Sequence, residues 1–150
     1  MTHDRSGWIG RIREVEGEQT ALRVAADRLL IEARSNPSDF RGDVTLPVIK
    51  RASDRLDGTY LIRLFAEFET GLRLYWPTAR RTDPPSRTRD LLEGVAATRR
   101  IPSPQVVNAQ AVREYRNALV HERDEVIDPI SLADARRHLC RYFSFLPFEW

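Results

Sequence analysis

No segment of this chain alternates apolar and polar residues with period two for long enough to make a half-buried strand. Apolar residues recur instead at spacings of three and four, in segments cut apart by prolines. That pattern restricts the chain to helices packed on helices. From about Arg13 to Arg34, Val15, Leu22, Ala25, Ala26, Leu29 and Leu30 follow helical spacing. Asn36-Pro37 ends the run, because a residue before proline is pushed out of the helical region. Residues 1–12 are expected to be a loosely ordered lead-in with Trp8 and Ile9 as docking anchors. Residues 36–57 contain Pro37, Gly42 and Pro47 without a sustained period and read as a long connector, with room for a short helix after Pro47.

The strongest segment follows Gly58-Thr59. Tyr60, Leu61, Leu64, Phe65, Phe68, Leu72, Tyr75 and Trp76 form one wide aromatic stripe up to Pro77, with Arg63, Thr70 and Arg73 opposite. The stripe reads as core rather than as a cofactor box, and Glu69 at its margin reads as a solvated helix edge. After a polar loop over 77–88, a helix is expected over Arg89–Arg100 through Leu91, Leu92, Val95 and Ala96. Ser103 reads as an N-cap and Pro104 as the first residue of a helix reaching about His121. An acidic turn leads to Asp128-Pro129. Ser131 and Asp134 then open a last helix in capping-box style, its Leu132, Ala135, Leu139, Tyr142, Phe143 and Leu146 facing inward. The expected fold is all-α: about five helices in one bundle, no sheet, a single domain over 13–150.

Composition closes off several classes. The lone Cys140 excludes an internal disulfide, and the expected compartment is the cytoplasm. No run approaches the ~18 apolar residues of a membrane span. With His138 and Cys140 facing different ways on one helix, and His3 read as a surface residue, no metal site and no cofactor are expected. The formal charge of +2 does not suit a general nucleic-acid coat, yet Lys50 is the only lysine among 24 basic residues. Arginine is the better fork for a phosphate.

The informative stretch is Arg113-Glu114-Tyr115-Arg116-Asn117-Ala118-Leu119-Val120-His121. On a helical wheel, Val107, Ala111, Val112, Tyr115, Ala118 and Leu119 face the core. Gln110, Arg113, Asn117 and Val120 point outward, with Arg116 and His121 flanking that strip. Asn117 and His121 are neighbours on one face, while Arg116 and His121 lie about 140° and about 7.5 Å apart on the helix. A guanidinium, an amide and an imidazole around one patch suit a phosphate: a fork, a hydrogen bond and a proton shuttle. Val106 and Val120 place apolar surface on the outward strip and, with Arg113, mark an expected two-fold interface. Arg80, Arg81, Arg87, Arg89, Arg99 and Arg100 form a basic belt that reads first as a solvated loop and otherwise as RNA-backbone contacts, for which Arg113 is a further candidate.

The segment Arg116-Asn117-Ala118-Leu119-Val120-His121 resembles the R-x4-6-H motif of HEPN-domain proteins, in the form with a polar residue after the arginine. The context is similar as well: an aromatic helix earlier, the motif late in the penultimate helix, a short acidic turn, and a closing helix. The resemblance implies a dimeric helical domain acting as a metal-independent endoribonuclease. Arg116 would hold the scissile phosphate, His121 would be the general acid or base for 2′-hydroxyl attack, and Asn117 would orient either. It also implies a homodimeric composite site, RNA as partner, and a toxin, stress or defence setting with a cognate antitoxin or defence partner. Some relatives are silenced by modification of a tyrosine two residues beyond the motif histidine; here Arg123 stands there. The alternative is a non-catalytic module that binds RNA or a nucleotide or serves as a helical partner subunit.

Overall fold

The computed structural model describes residues 3–121 and 127–150. Over these residues it is all-helical, with five α-helices and no strand beyond a single isolated bridge, Asp4 to Glu149. No described helix is long and apolar enough to cross a membrane.

Helix α1 spans Arg5–Ser35 and begins eight residues earlier than its periodicity suggests, so residues 5–12 are not a loose lead-in. Asp4 caps it by accepting from the Gly7 amide at 2.7 Å. Trp8 and Ile12 are buried, and Ile9 packs half-buried against the core. The reason is a contact far away in the sequence. Gly71, in the helix that follows, is so close to Trp8 and Phe143 that a Cβ there would come within 2.8 Å of the Phe143 ring.

After a 3₁₀ turn at Pro37–Asp39, helix α2 runs unbroken over Leu46–Arg80. The expected connector is therefore half helix. Pro47 sits in the first turn, where its missing N–H costs nothing. Arg23 on α1 then donates to the Ser53 hydroxyl at 2.9 Å and to Asp57 at 2.9 Å, tying the new turns to α1. At the other end α2 passes through Pro77 and stops one turn later at Arg81, which adopts a left-handed conformation.

The next segment doubles back along α2. Arg73 donates to the Pro85 and Ser86 carbonyls, and Glu69 accepts from both Arg73 and the Thr88 hydroxyl. Glu69 is thus a structural clamp rather than a solvated edge. Helix α3 (Thr88–Arg99) consequently runs in the same direction as α2, with Gly94 leaving room for the Trp76 ring and Arg80 donating to Thr98. Helix α4 (Ser103–His121) returns antiparallel to α2. Pro102 supplies the first carbonyl, accepting from Val106, so Ser103 is the first helical residue rather than the cap. Helix α5 (Leu132–Phe143) starts at Ser131, whose hydroxyl accepts from the Asp134 amide as the sequence suggests.

All five helices contribute to one core. Its centre is the aromatic set Phe65, Phe68, Tyr142 and Phe143, packed edge-on or tilted at 5.5–6.0 Å between centroids. Each ring stabilises the fold by roughly 2–3 kcal/mol through burial. Tyr142 donates from its hydroxyl to the Leu92 carbonyl at 2.6 Å, which satisfies the one polar atom in this layer, and burial pushes its phenol well up. The last residues fold back on the start, with His3 and Trp150 exchanging backbone hydrogen bonds.

Candidate functional site

The motif occupies the last turns of α4, beside the middle of α2. Gly58 on α2 leaves space for Leu119, since a Cβ there would lie 3.4 Å from its side chain. One turn earlier on α4, the Arg116 guanidinium lies over the Phe65 ring at 5.7 Å. Its Nε is buried without a hydrogen-bond partner among the described residues, and Nη1 donates to Asn117 Oδ1 at 2.9 Å. His121 is exposed at the helix end.

This corrects the wheel read from the sequence. The buried residues of α4 are Ala109 and Val112, with Val106, Tyr115 and Leu119 half-buried against the core. Arg116 continues that inward stripe, whereas Val107, expected inside, is 62% exposed. The physical reason is a second neighbour. Helix α3 covers α4 from the side, where Gln110 donates to the Arg89 carbonyl, and this rotates the covered face away from Val107. Val106 accordingly lies against the core rather than on an outward strip, while Val120 is exposed as expected.

Arg116, Asn117 and His121 thus share one helix end, but with different environments. Arg116 is half-buried, with its Nε fully covered, and is held by a ring and an amide. A guanidinium fixed in this way has lost rotamer freedom before any ligand arrives, so it can meet a phosphate at low entropic cost. Asn117 accepts from the arginine through Oδ1. His121 reaches solvent about 7.5 Å farther along the axis.

Two grooves open beside this helix end and share Asp57, Gly58 and Tyr115. The larger, about 500 Å³, adds Asp54, Arg55 and Thr59. Hydrogen bonding from Arg23, opposed by partial burial and aided by Gln19, holds the Asp57 carboxyl below the usual range. Sequence reasoning missed these neighbours; the one available signal was a glycine inside a helical pattern, which marks a close approach.

The basic belt is not gathered here. Arg113 is held on its own helix, donating to Gln110 and pairing with Glu114. Arg87 is exposed at the start of α3. Arg80 and Arg81 close α2, and the helical rise from Gly58 to Arg80 puts them about 33 Å from the motif end. His138 and Cys140 are half-buried on α5, and burial pushes the thiol up. Among the described residues no three of His, Cys, Asp and Glu come together as a metal site would need. Arg123 and the acidic turn lie outside the described residues. Comparison of the chain with protein-family models, with curated proteins and with solved structures finds no match in any of the three.

Proposed function

We propose that the chain is a metal-independent endoribonuclease of HEPN type, with Arg116 and His121 as its catalytic pair. The observation that carries this reading is Arg116: a half-buried arginine with an unsatisfied Nε, fixed over Phe65 and by Asn117, at the end of the helix that presents His121. Arg116 Nε is one of four buried side-chain polar atoms without a partner among the described residues, with Gln105 Oε1, Arg136 Nε and Trp150 Nε1, and it is the one beside His121; an anion arriving at the guanidinium would satisfy it.

The chemistry follows from the groups. A 2′-hydroxyl attacks the adjacent phosphate only when its proton is removed, and imidazole, which titrates near neutrality, is suited to that. The attack forms the bond from the 2′-oxygen to phosphorus and breaks the bond from phosphorus to the 5′-oxygen, which leaves with a proton. The products are a 2′,3′-cyclic phosphate and a 5′-hydroxyl. Arg116 stabilises the charge that gathers on the phosphoryl oxygens. Because Arg116 and His121 diverge by about 140° on one helix, a second copy related by a two-fold axis would complete the site. The exposed Val120 is the apolar residue such an interface would cover. A chain that sediments as a monomer at micromolar concentration removes this shared-site part of the proposal.

A non-catalytic RNA-binding or partner module is the second reading, favoured by the inward direction of Arg116. Incubation with total RNA in excess EDTA separates the two. The ribonuclease reading expects cleavage by the wild-type chain and its loss, with an unchanged melting curve, in His121→Ala. Binding without cleavage favours the second reading.

A further inference from the structure

Three helices finish at the same end of the bundle: α2 at Arg80, α3 at Arg99 and α5 at Phe143. Six arginines collect there. Arg80 donates to Thr98 at 3.0 Å and lies over Trp76 at 5.6 Å. Arg99 donates to the Phe145 carbonyl at 2.9 Å, Arg141 lies over the Phe145 ring at 5.9 Å, and Arg5 donates to the Ser144 and Leu146 carbonyls. Arg81 and Arg100 are exposed directly beyond α2 and α3. Among the described residues none of these six forms an ion pair, although eight arginines elsewhere in the molecule do.

Attraction of cations to helix C-termini does not account for so many. The three C-termini contribute roughly −0.5 charge each and the N-termini of α1 and α4 at this end roughly +0.5 each, so the helix ends sum to about −0.5; with the neighbouring acids Asp4, Asp83 and Glu149 they do not balance six guanidinium groups. The surplus is positive. The backbone gives a second, independent indication. Arg81 and Arg100, at φ 55° and 54°, are the only described non-glycine residues with positive φ. Glycine is the usual occupant of that position, because a Cβ is strained there. The cap itself needs only the backbone: the amides of Arg81 and Ile101 reach the Pro77 and Ala96 carbonyls. At both helix ends an arginine side chain is thus kept at a conformational cost that the cap does not require.

An aromatic completes the surface. Phe148 is 58% exposed, in a tail pinned where Trp150 packs edge-on against Tyr75. Cations beside an exposed aromatic ring are what single-stranded nucleic acid requires, phosphates meeting the first and a base stacking on the second. We infer that this arginine end is a docking surface for single-stranded RNA, distinct from the Arg116–His121 helix end. It deepens the ribonuclease reading by giving the substrate a second hold about 33 Å away, a span on the order of ten stacked nucleotides.

The test uses the full chain carrying His121→Ala and a fluorescently labelled oligouridylate, with binding followed by anisotropy. Arg81→Gly/Arg100→Gly relieves the backbone strain while removing two charges, so its melting temperature should hold or rise. Its affinity should fall by at least about tenfold, and the slope of log K against log salt should flatten by about 1.4, two contacts at 0.7 each. Arg81→Lys/Arg100→Lys keeps the charge and should retain most of the binding, and Phe148→Ala should weaken it. Unchanged affinity and slope in the glycine variant overturn the inference. So does equal or tighter binding of duplex DNA or of phosphatidylserine vesicles. If the glycine variant loses binding but no form of the chain cleaves RNA, the docking surface stands and the ribonuclease reading falls.

Discussion

Helix α1 over about half its length and α2 over about a third leave the bundle, and the two parts differ in what their apolar residues meet. Inside, Ile12, Phe65, Phe68 and Leu72 are fully buried beneath α5 and its neighbours. Beyond Gln19 and Asp57 the pair continues as a two-helix arm. There Leu22 is 46% exposed, Leu29 37% and Val44 52%, and a groove over Ala25, Ala52 and Leu56 stays open. The arm is helical because each helix lends the other one face, not because a core requires it. The candidate site sits where arm and body part, at Gly58, Tyr115, Leu119 and His121. A helix end in that place has packing on one side to hold Arg116 and solvent on the other to admit a ligand.

The comparison is sharpened first by truncating one residue in each part. Phe68→Ala should cost about 3–5 kcal/mol, whereas Leu29→Ala should cost less than about 2 kcal/mol, because part of the leucine is already in water. Denaturant unfolding of both variants checks this, and similar losses would mean that the arm is as integral as the body. A smaller effect is expected from the polar seam of the arm. The Asp57 carboxyl is held below its ordinary value, chiefly by Arg23, so its contribution is present above about pH 4 and is lost as pH falls through the lowered value. Thermal melts of wild type and Asp57→Asn should therefore differ slightly at pH 7 and converge as pH falls below the ordinary carboxylate range. A gap that grows on acidification would reverse the sign assigned to Asp57.

The same contrast explains what was legible in the sequence. The stripe from Tyr60 to Trp76 could be read because core surrounds it, and the Ser131–Asp134 cap because it is local. The first turns of α2 were opaque: their partners, Leu22 to Leu29, lie far back in the chain, and Pro47 looks like a breaker until it is placed in the first turn. Pro77 reads as a stop in sequence, yet α2 continues for one further turn, where few backbone bonds are at stake. Trp8 seemed to belong to a loose segment because its socket at Gly71 is remote. For the site, the residue types Arg116, Asn117 and His121 were readable. The inward turn of Arg116 was not, since it depends on α3 covering the flank of α4. Of the arginine end, the pairs Arg80-Arg81 and Arg99-Arg100 are legible as part of the basic belt, whereas Arg5 and Arg141 join them only through the fold.

The central claim is that the end of α4 cleaves RNA through the neighbouring 2′-hydroxyl. Its most direct test is an oligonucleotide cut by the chain in EDTA, resynthesised with a single 2′-deoxy substitution at the nucleotide before the cut. The account predicts that cleavage at that bond is abolished, while the unmodified strand yields a 2′,3′-cyclic phosphate and a 5′-hydroxyl. Continued cutting of the deoxy strand at the same bond, or a linear phosphate as the first product, would contradict it.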